Sequence, residues 1–155
     1  MKRVATMLLL GGCLGASLGA CSQPEPVQNV QWQVTNVYTT PEYPSEVPDS
    51  VAGAVTLTFG ASSLTGSTGC ARLQAVVDYD TKDPSEAKEM TVREIVFDPI
   101  DEQQCTGHAR FIHDHMVDIL HDGRFDIRPE PNSSAKVLLK QSDQFQRPGL
   151  RIATV

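Results

Sequence analysis

Val55-Thr56-Leu57-Thr58-Phe59-Gly60-Ala61-Ser62-Ser63-Leu64-Thr65-Gly66-Ser67-Thr68-Gly69-Cys70-Ala71-Arg72-Leu73 is the stretch on which the fold turns. Val55, Leu57 and Phe59 alternate with Thr56 and Thr58, the two-residue period of a half-buried strand. A turn over residues 60–63 leads to a partner strand near residues 64–66. Gly66 and Gly69 then flank a polar pair, and Leu73, Ala75, Val77 and Tyr79 resume the alternation. Glycines so placed allow a bulge, a positive φ or a close approach of two backbones. The run lacks the GxxxxGK[ST] spacing of a phosphate loop and no helical pattern follows it, so nucleotide binding there is excluded.

The same period extends outward. Val30, Trp32 and Val34 alternate with Gln31, Gln33 and Thr35, predicting a strand that runs on toward Tyr38 with Trp32 as a core anchor. Residues 39–51 hold Pro41, Pro44 and Pro48 with Glu42, Glu46 and Asp49, the composition of a surface loop. Further strands are expected over residues 90–97, around Phe125 and Ile127, and over residues 137–140 and 150–152. The one convincing helix spans residues 107–122, with Thr106 as cap and Gly123 at C′. Phe111, Ile112, Met116, Ile119 and Leu120 recur along it at helical spacing. The sum is a mostly β (α+β) domain: a small antiparallel barrel-like or strongly curved sheet with one helix packed on it. Its edge strands are expected to be open and available to a partner.

The N-terminus fixes the expected location. Lys2 and Arg3 precede an apolar segment too short to span a bilayer, and Leu18-Gly19-Ala20-Cys21 closes it. This resembles the lipobox of bacterial lipoproteins, which implies removal of residues 1–20 and acylation of Cys21. Two or more acyl chains, at about 0.8 kcal/mol per buried methylene, anchor stably where one would not. The expected organisation is a signal peptide over residues 1–20, a lipidated tether over 21–29 and a β domain over 30–155. The expected place is the extracytoplasmic face of the cell membrane. Residues 1–20 hold two of the 13 basic residues and none of the 19 acidic ones, so the remainder carries 11 Lys+Arg against 19 Asp+Glu, a formal charge of −8. Such a balance argues against nucleic acid and against a polybasic grip on anionic lipid.

Cys13 lies in the signal and Cys21 is taken by lipid, leaving Cys70 and Cys105 where disulfides persist. One bridge is the simplest reading; metal binding by the pair and a redox dithiol are weaker ones. Closing a loop of about 35 residues contributes about 4 kcal/mol in the chain-entropy picture.

Leu57-Thr58-Phe59, the run from Gly66 to Arg72, and Cys105 just ahead of the helix together resemble the META domain of the HslJ-like bacterial proteins. Those domains carry a strand of LTF type, a Gly-Cys-Asn motif, a second cysteine before a helix and closing strands. The resemblance covers most of residues 30–155, with Ala71 in place of the asparagine and Thr106 where a proline often stands. It implies a small envelope domain without a defined enzymatic activity.

The helix holds all four histidines and with them the candidate chemistry of the chain. At 100° per residue His108 and His115 share one edge of the apolar stripe, His113 points almost opposite and His121 lies on the polar side. His108 and His115 are therefore the only metal candidates, and the expectation is a partly buried His115 with exposed neighbours. Asp98, Asp101 and Glu102 match no calcium loop. Asp114, Asp118 and Asp122 form an acidic line with Arg110 placed to pair Asp114. No G-x-S-x-G turn is present, and the sequence designates no catalytic residue, no cofactor and no partner-binding residue. The expected function is a non-enzymatic envelope lipoprotein that contacts a protein partner or a small amphiphile, as part of or accessory to a membrane complex. The alternative is a metal-binding or enzymatic protein using the helix histidines and nearby carboxylates.

Overall fold

A computed structural model describes residues 27–154. The signal segment and Cys21 lie outside the described residues. Eight antiparallel strands close into a barrel in simple chain order: β1 Gln31–Tyr38, β2 Val55–Phe59, β3 Ser63–Thr68, β4 Arg72–Tyr79, β5 Glu89–Phe97, β6 Arg124–Pro129, β7 Lys136–Lys140 and β8 Gly149–Thr154, with β8 paired back onto β1. The helix α1, Gly107–Leu120, lies between β5 and β6 in sequence and packs against β3 and β1.

Closure follows from the sequence period. Trp32, Val34, Val55, Leu57, Phe59, Leu64, Leu73, Val77, Met90, Phe125, Leu138, Leu150 and Ile152 point inward into one core. Arg72, Gln74, Asp78 and Arg128 stand exposed between them. Apolar inside and polar outside is the reverse of a lipid-embedded barrel. Met116, Ile119 and Leu120 of α1 join the same core, so the helix stops one mouth of the barrel. Eight strands leave an interior just wide enough for side chains to fill, and here they fill it.

Closure corrects the expectation of open edges, because every strand has a partner on both sides. β2 reaches only Gln31, Trp32 and Gln33 of β1. Beside the rest of β1 its place is taken by the supposed loop: Asn36 bridges Glu46, Val37 N donates to Ser45 O at 2.7 Å, and Val47 N donates to Thr35 O at 2.9 Å. Val47 is buried, so residues 39–51 do contribute to the core.

The tether also ends earlier than read. Val27 is buried, Gln28 bridges Phe59, and Asn29 N donates to Phe59 O at 2.8 Å. The reason is Trp32, whose indole Nε1 donates to Val27 O at 3.0 Å inside the core.

Gly66 sits in β3 between Leu57 and Leu73. A Cβ there would clash with the Thr56 carbonyl oxygen and lie 3.1 Å from Leu57 Cα, so the close approach of backbones does require glycine.

The helix ends differ from expectation. Thr106 occupies the N-cap but its hydroxyl makes no capping bond. Asp122, not Gly123, takes the left-handed φ of 49° after the helix. Gly123 is needed for space: a Cβ would run into the Phe125 ring.

The barrel has two distinct ends. The lower one collects the entry at Val27, the turn over residues 60–62, the loop over residues 80–88, the turn over residues 130–135 and Thr154. The upper one carries α1, the turn over residues 69–71 and the loops over residues 39–54 and 141–148.

Candidate functional site

The glycine-cysteine turn that dominates the sequence is an attachment point for the helix. Cys70 is bonded to Cys105, 35 residues away, which ties the β3–β4 turn to the segment entering α1. Beside the bridge, the Thr68 hydroxyl accepts from Ala71 N at 3.1 Å and Cys70 N at 3.3 Å, and lies 2.8 Å from His113 Nδ1. The same hydroxyl donates to Ala71 O at 3.2 Å, whose second lone pair receives Thr68 N at 2.9 Å. The His113 ring meets Phe97 edge-on, centroids 6.2 Å apart.

His113 is 7% exposed, which corrects its placement on an open face. Helical spacing had oriented it away from the apolar stripe. The helix in fact buries two contacts, one on the barrel mouth and one on the 68–71 turn. Replacing Thr68 by Val keeps the shape but strands two amides and the histidine. The variant is expected to lose about 1–3 kcal/mol in urea unfolding.

The other histidines diverge. His108 Nδ1 lies 3.4 Å from Ser50 Oγ on the surface, His115 packs edge-on against Phe111 at 4.3 Å, and His121 pairs with Asp122 at 3.1 Å. His108 and His115 are two helical turns apart, about 10 Å along the axis, too far to share one ion. Among the described residues no group of three or more His, Cys, Asp or Glu is placed to hold a metal. The acidic residues before the helix are dispersed: Asp98 pairs with Arg72, Glu102 with Arg110, and Asp101 accepts from Gln103 N and Gln104 Nε2. Arg110 also pairs with Asp114, as its i, i+4 spacing predicts. Tyr79, its phenol pushed up to about 12 by burial, donates to Gly60 O at 3.2 Å and serves the lower turn.

The features that sequence reasoning missed lie on the upper end. A groove of about 490 Å³ runs between the loops there, lined by Tyr38, Pro41, Tyr43, Val137, Leu139 and Arg147 among others. A second groove of about 370 Å³ shares Thr39 and Thr40 with it and is bounded by His115, Asp118, Ile119, Lys140 and Pro148. Tyr43 is 55% exposed on one side, and Phe145, on the opposite loop, is 100% exposed. An isolated aromatic in a polar loop is the one signal that pointed to them.

Both walls are fixed to the barrel. Lys140 Nζ donates to the carbonyls of Asp118 at 2.9 Å and His121 at 3.0 Å, supplying the positive charge that a helix C-terminus favours. Arg147 donates through Nε to Lys140 O at 3.0 Å and through Nη2 to Leu139 O at 2.9 Å and Asp126 Oδ2 at 2.8 Å, holding the 141–148 loop. On the facing loop, the Thr40 hydroxyl holds the exposed Glu42 carboxyl below its ordinary range. Asp126 is likewise held below its ordinary range, first by the hydrogen bond from Gln141 and, against the opposing cost of burial, by Arg147 and Arg128.

A carboxyl with a lowered folded pKa adds stability above its unfolded pKa and loses it as pH falls through the folded one. The urea midpoint of the wild type should therefore exceed that of Asp126→Asn at neutral pH. The gap should close as pH drops below about 4.

No family model matches the chain, and no curated protein does either. One solved structure is similar to it: an NMR structure of a protein from Burkholderia xenovorans, with a TM-score of 0.56 over 94% of this chain and 99% of that one at 13% identity. At that identity the likeness is one of fold alone.

Proposed function

We propose that the chain is a META/HslJ-like envelope lipoprotein, anchored through an acylated Cys21 on the extracytoplasmic face of the cell membrane. Its barrel acts there as a non-enzymatic binding or accessory module for a protein partner or a small amphiphile. The observation that carries the binding half is the filled interior beneath a grooved upper end. A barrel packed with Trp32, Phe59, Phe125 and Met116 has no lumen for cargo, so recognition falls to the surface. The bridge between Cys70 and Cys105 supports the compartment, because such bonds persist where thiols are not kept reduced.

Fractionation and intact-mass analysis of the wild type and Cys21→Ser test the anchor. The wild type is expected in the membrane fraction, beginning at residue 21 with the added mass of its acyl chains, and the variant is expected without them. A wild-type protein that lacks acyl mass overturns the reading.

A further inference from the structure

We propose that the upper-end groove receives a cationic, extended polypeptide segment that seats one apolar side chain against Tyr43, with Phe145 on the neighbouring loop free to close on it. The inference deepens the binding role just stated, and only its orientation relative to the bilayer rests on the lipid anchor.

The groove has the makings of an anchor pocket. Its lining is mainly apolar, from Tyr38, Pro41, Tyr43, Val137 and Leu139, and its volume of about 490 Å³ suits one large side chain with its neighbours. Phe145, fully exposed between Gln144 and Gln146 of the two groove linings, packs on nothing in this barrel, and Tyr43 leaves half its surface open while its ring meets Phe111 at 5.7 Å. Aromatic residues so placed are the usual centres of binding energy.

Charge selects the occupant. Glu42, Glu46 and Asp49 on one loop, Asp143 on the other and Asp118 on α1 are all exposed, and none has a cationic side-chain partner among the described residues. Most basic residues of this end are already committed: Arg72 to Asp98, Arg110 to Glu102 and Asp114, Arg147 to Asp126, and Lys140 to the helix carbonyls, while Arg124 lies on the barrel wall with Glu89 and Thr91. The one charged residue of the groove lining, Arg147, is neutralised by Asp126, and the unpaired carboxylates on the flanking loops steer a positively charged segment toward the slot. The same carboxylates repel an anionic bilayer, and they repel a second copy of the same end.

Geometry agrees. The chain enters at the lower end through Val27, six residues after Cys21. Six extended residues reach about 20 Å, which is about the height of a barrel whose eight-residue strands tilt by roughly 40°. Bringing the groove to the membrane would require the tether to lie fully stretched along the barrel wall. The upper end instead faces away from the lipid, toward a partner that stands above it.

The test is selection of random-sequence peptides displayed on phage against the full-length protein, immobilised by a tag after Val155 so that the upper end is free. Enriched peptides are expected to carry Lys or Arg around a single large apolar residue. Their affinity should fall about tenfold on Tyr43→Ser plus Phe145→Ser, about fivefold on Glu46→Gln, Asp49→Asn and Asp143→Asn together, and severalfold as salt rises. These positions are exposed, and an unchanged far-UV circular dichroism spectrum verifies that the variants fold.

Failure to enrich a saturable peptide, an acidic or uncharged consensus, or binding indifferent to Tyr43 and Phe145 overturns the proposal. Sedimentation showing a dimer abolished by Phe145→Ser would assign the face to a second copy. Flotation of Cys21→Ser protein with phosphatidylglycerol vesicles, lost on Phe145→Ser, would assign it to the bilayer. Either result also overturns it. The selection does not involve Cys21, so a protein found without acyl chains would refute the anchor and leave the peptide result standing.

Discussion

A chain carrying Cys70→Ala and Cys105→Ala is expected to lose about 4 kcal/mol of unfolding free energy, the entropy of the 35-residue loop that the bridge closes. Urea unfolding of the wild type and the double variant measures it. Reductant should move the wild type toward the variant and leave the variant unchanged. The loss should not be spread evenly. α1 would keep its Lys140 contacts at one end and the Thr68–His113 bond in the middle, but its entry would be held only by backbone turns and exposed polar contacts such as Arg110–Glu102 and Ser50–His108. Amide exchange is therefore expected to accelerate most in the segment before α1 and the first turn of the helix, and least in the strands. Equal acceleration across the barrel would contradict the bridge's role as a local tie.

Trp32→Ala is expected to cost about 3–5 kcal/mol, the largest effect of any single truncation in this barrel. The side chain is fully buried, its Nε1 bonds to Val27 O, and Lys136 Nζ stands 5.7 Å from the ring centroid. Three losses coincide: packing, the hydrogen bond that fixes the chain's entry, and the ring face beneath a buried ammonium. Trp32→Phe separates them. It keeps a ring in the core but orphans the Val27 carbonyl, and should cost about 1–3 kcal/mol. Because the single tryptophan is the natural fluorophore, both variants are to be followed by circular dichroism.

Most of the strands were legible because one face of each is buried, which forces a two-residue period that a reader can see. β2, β3 and β4 lie where the alternation of Val55 to Tyr79 places them. Two bulges break the period and were not legible. One falls between Val34 and Asn36 in β1, the other opposite Val76 and Val77, where β5 gains a residue at Arg93. The second explains why Val96 is exposed while Ile95 and Phe97 turn inward.

The sequence left a barrel and a strongly curved sheet as alternatives, since the pairing of β1 with β8 that closes the barrel joins the two ends of the domain and no local pattern encodes it. His113 was misplaced for a related reason: its partner Thr68 lies 45 residues away, and an apolar stripe ignores polar burial. The bridge between Cys70 and Cys105 needed no geometry, only the elimination of two other cysteines. The grooves depend on the relative positions of two loops, which sequence does not supply.

The seam between β1 and β8 has a consequence for how the molecule is made. Thr35 and Arg151, hydrogen-bonded across it at 2.9 Å, are 116 residues apart. A chain emerging from its start can pair one edge of β1 with residues 45–47 and β2, but the other edge waits until β8 has been delivered. The final event is then a ring closure of very high contact order, with folding expected over milliseconds to seconds. A nascent chain halted before Gly149 would present β1 and β7 as two unpaired templates, and stalled synthesis or C-terminal trimming should show up first as aggregation.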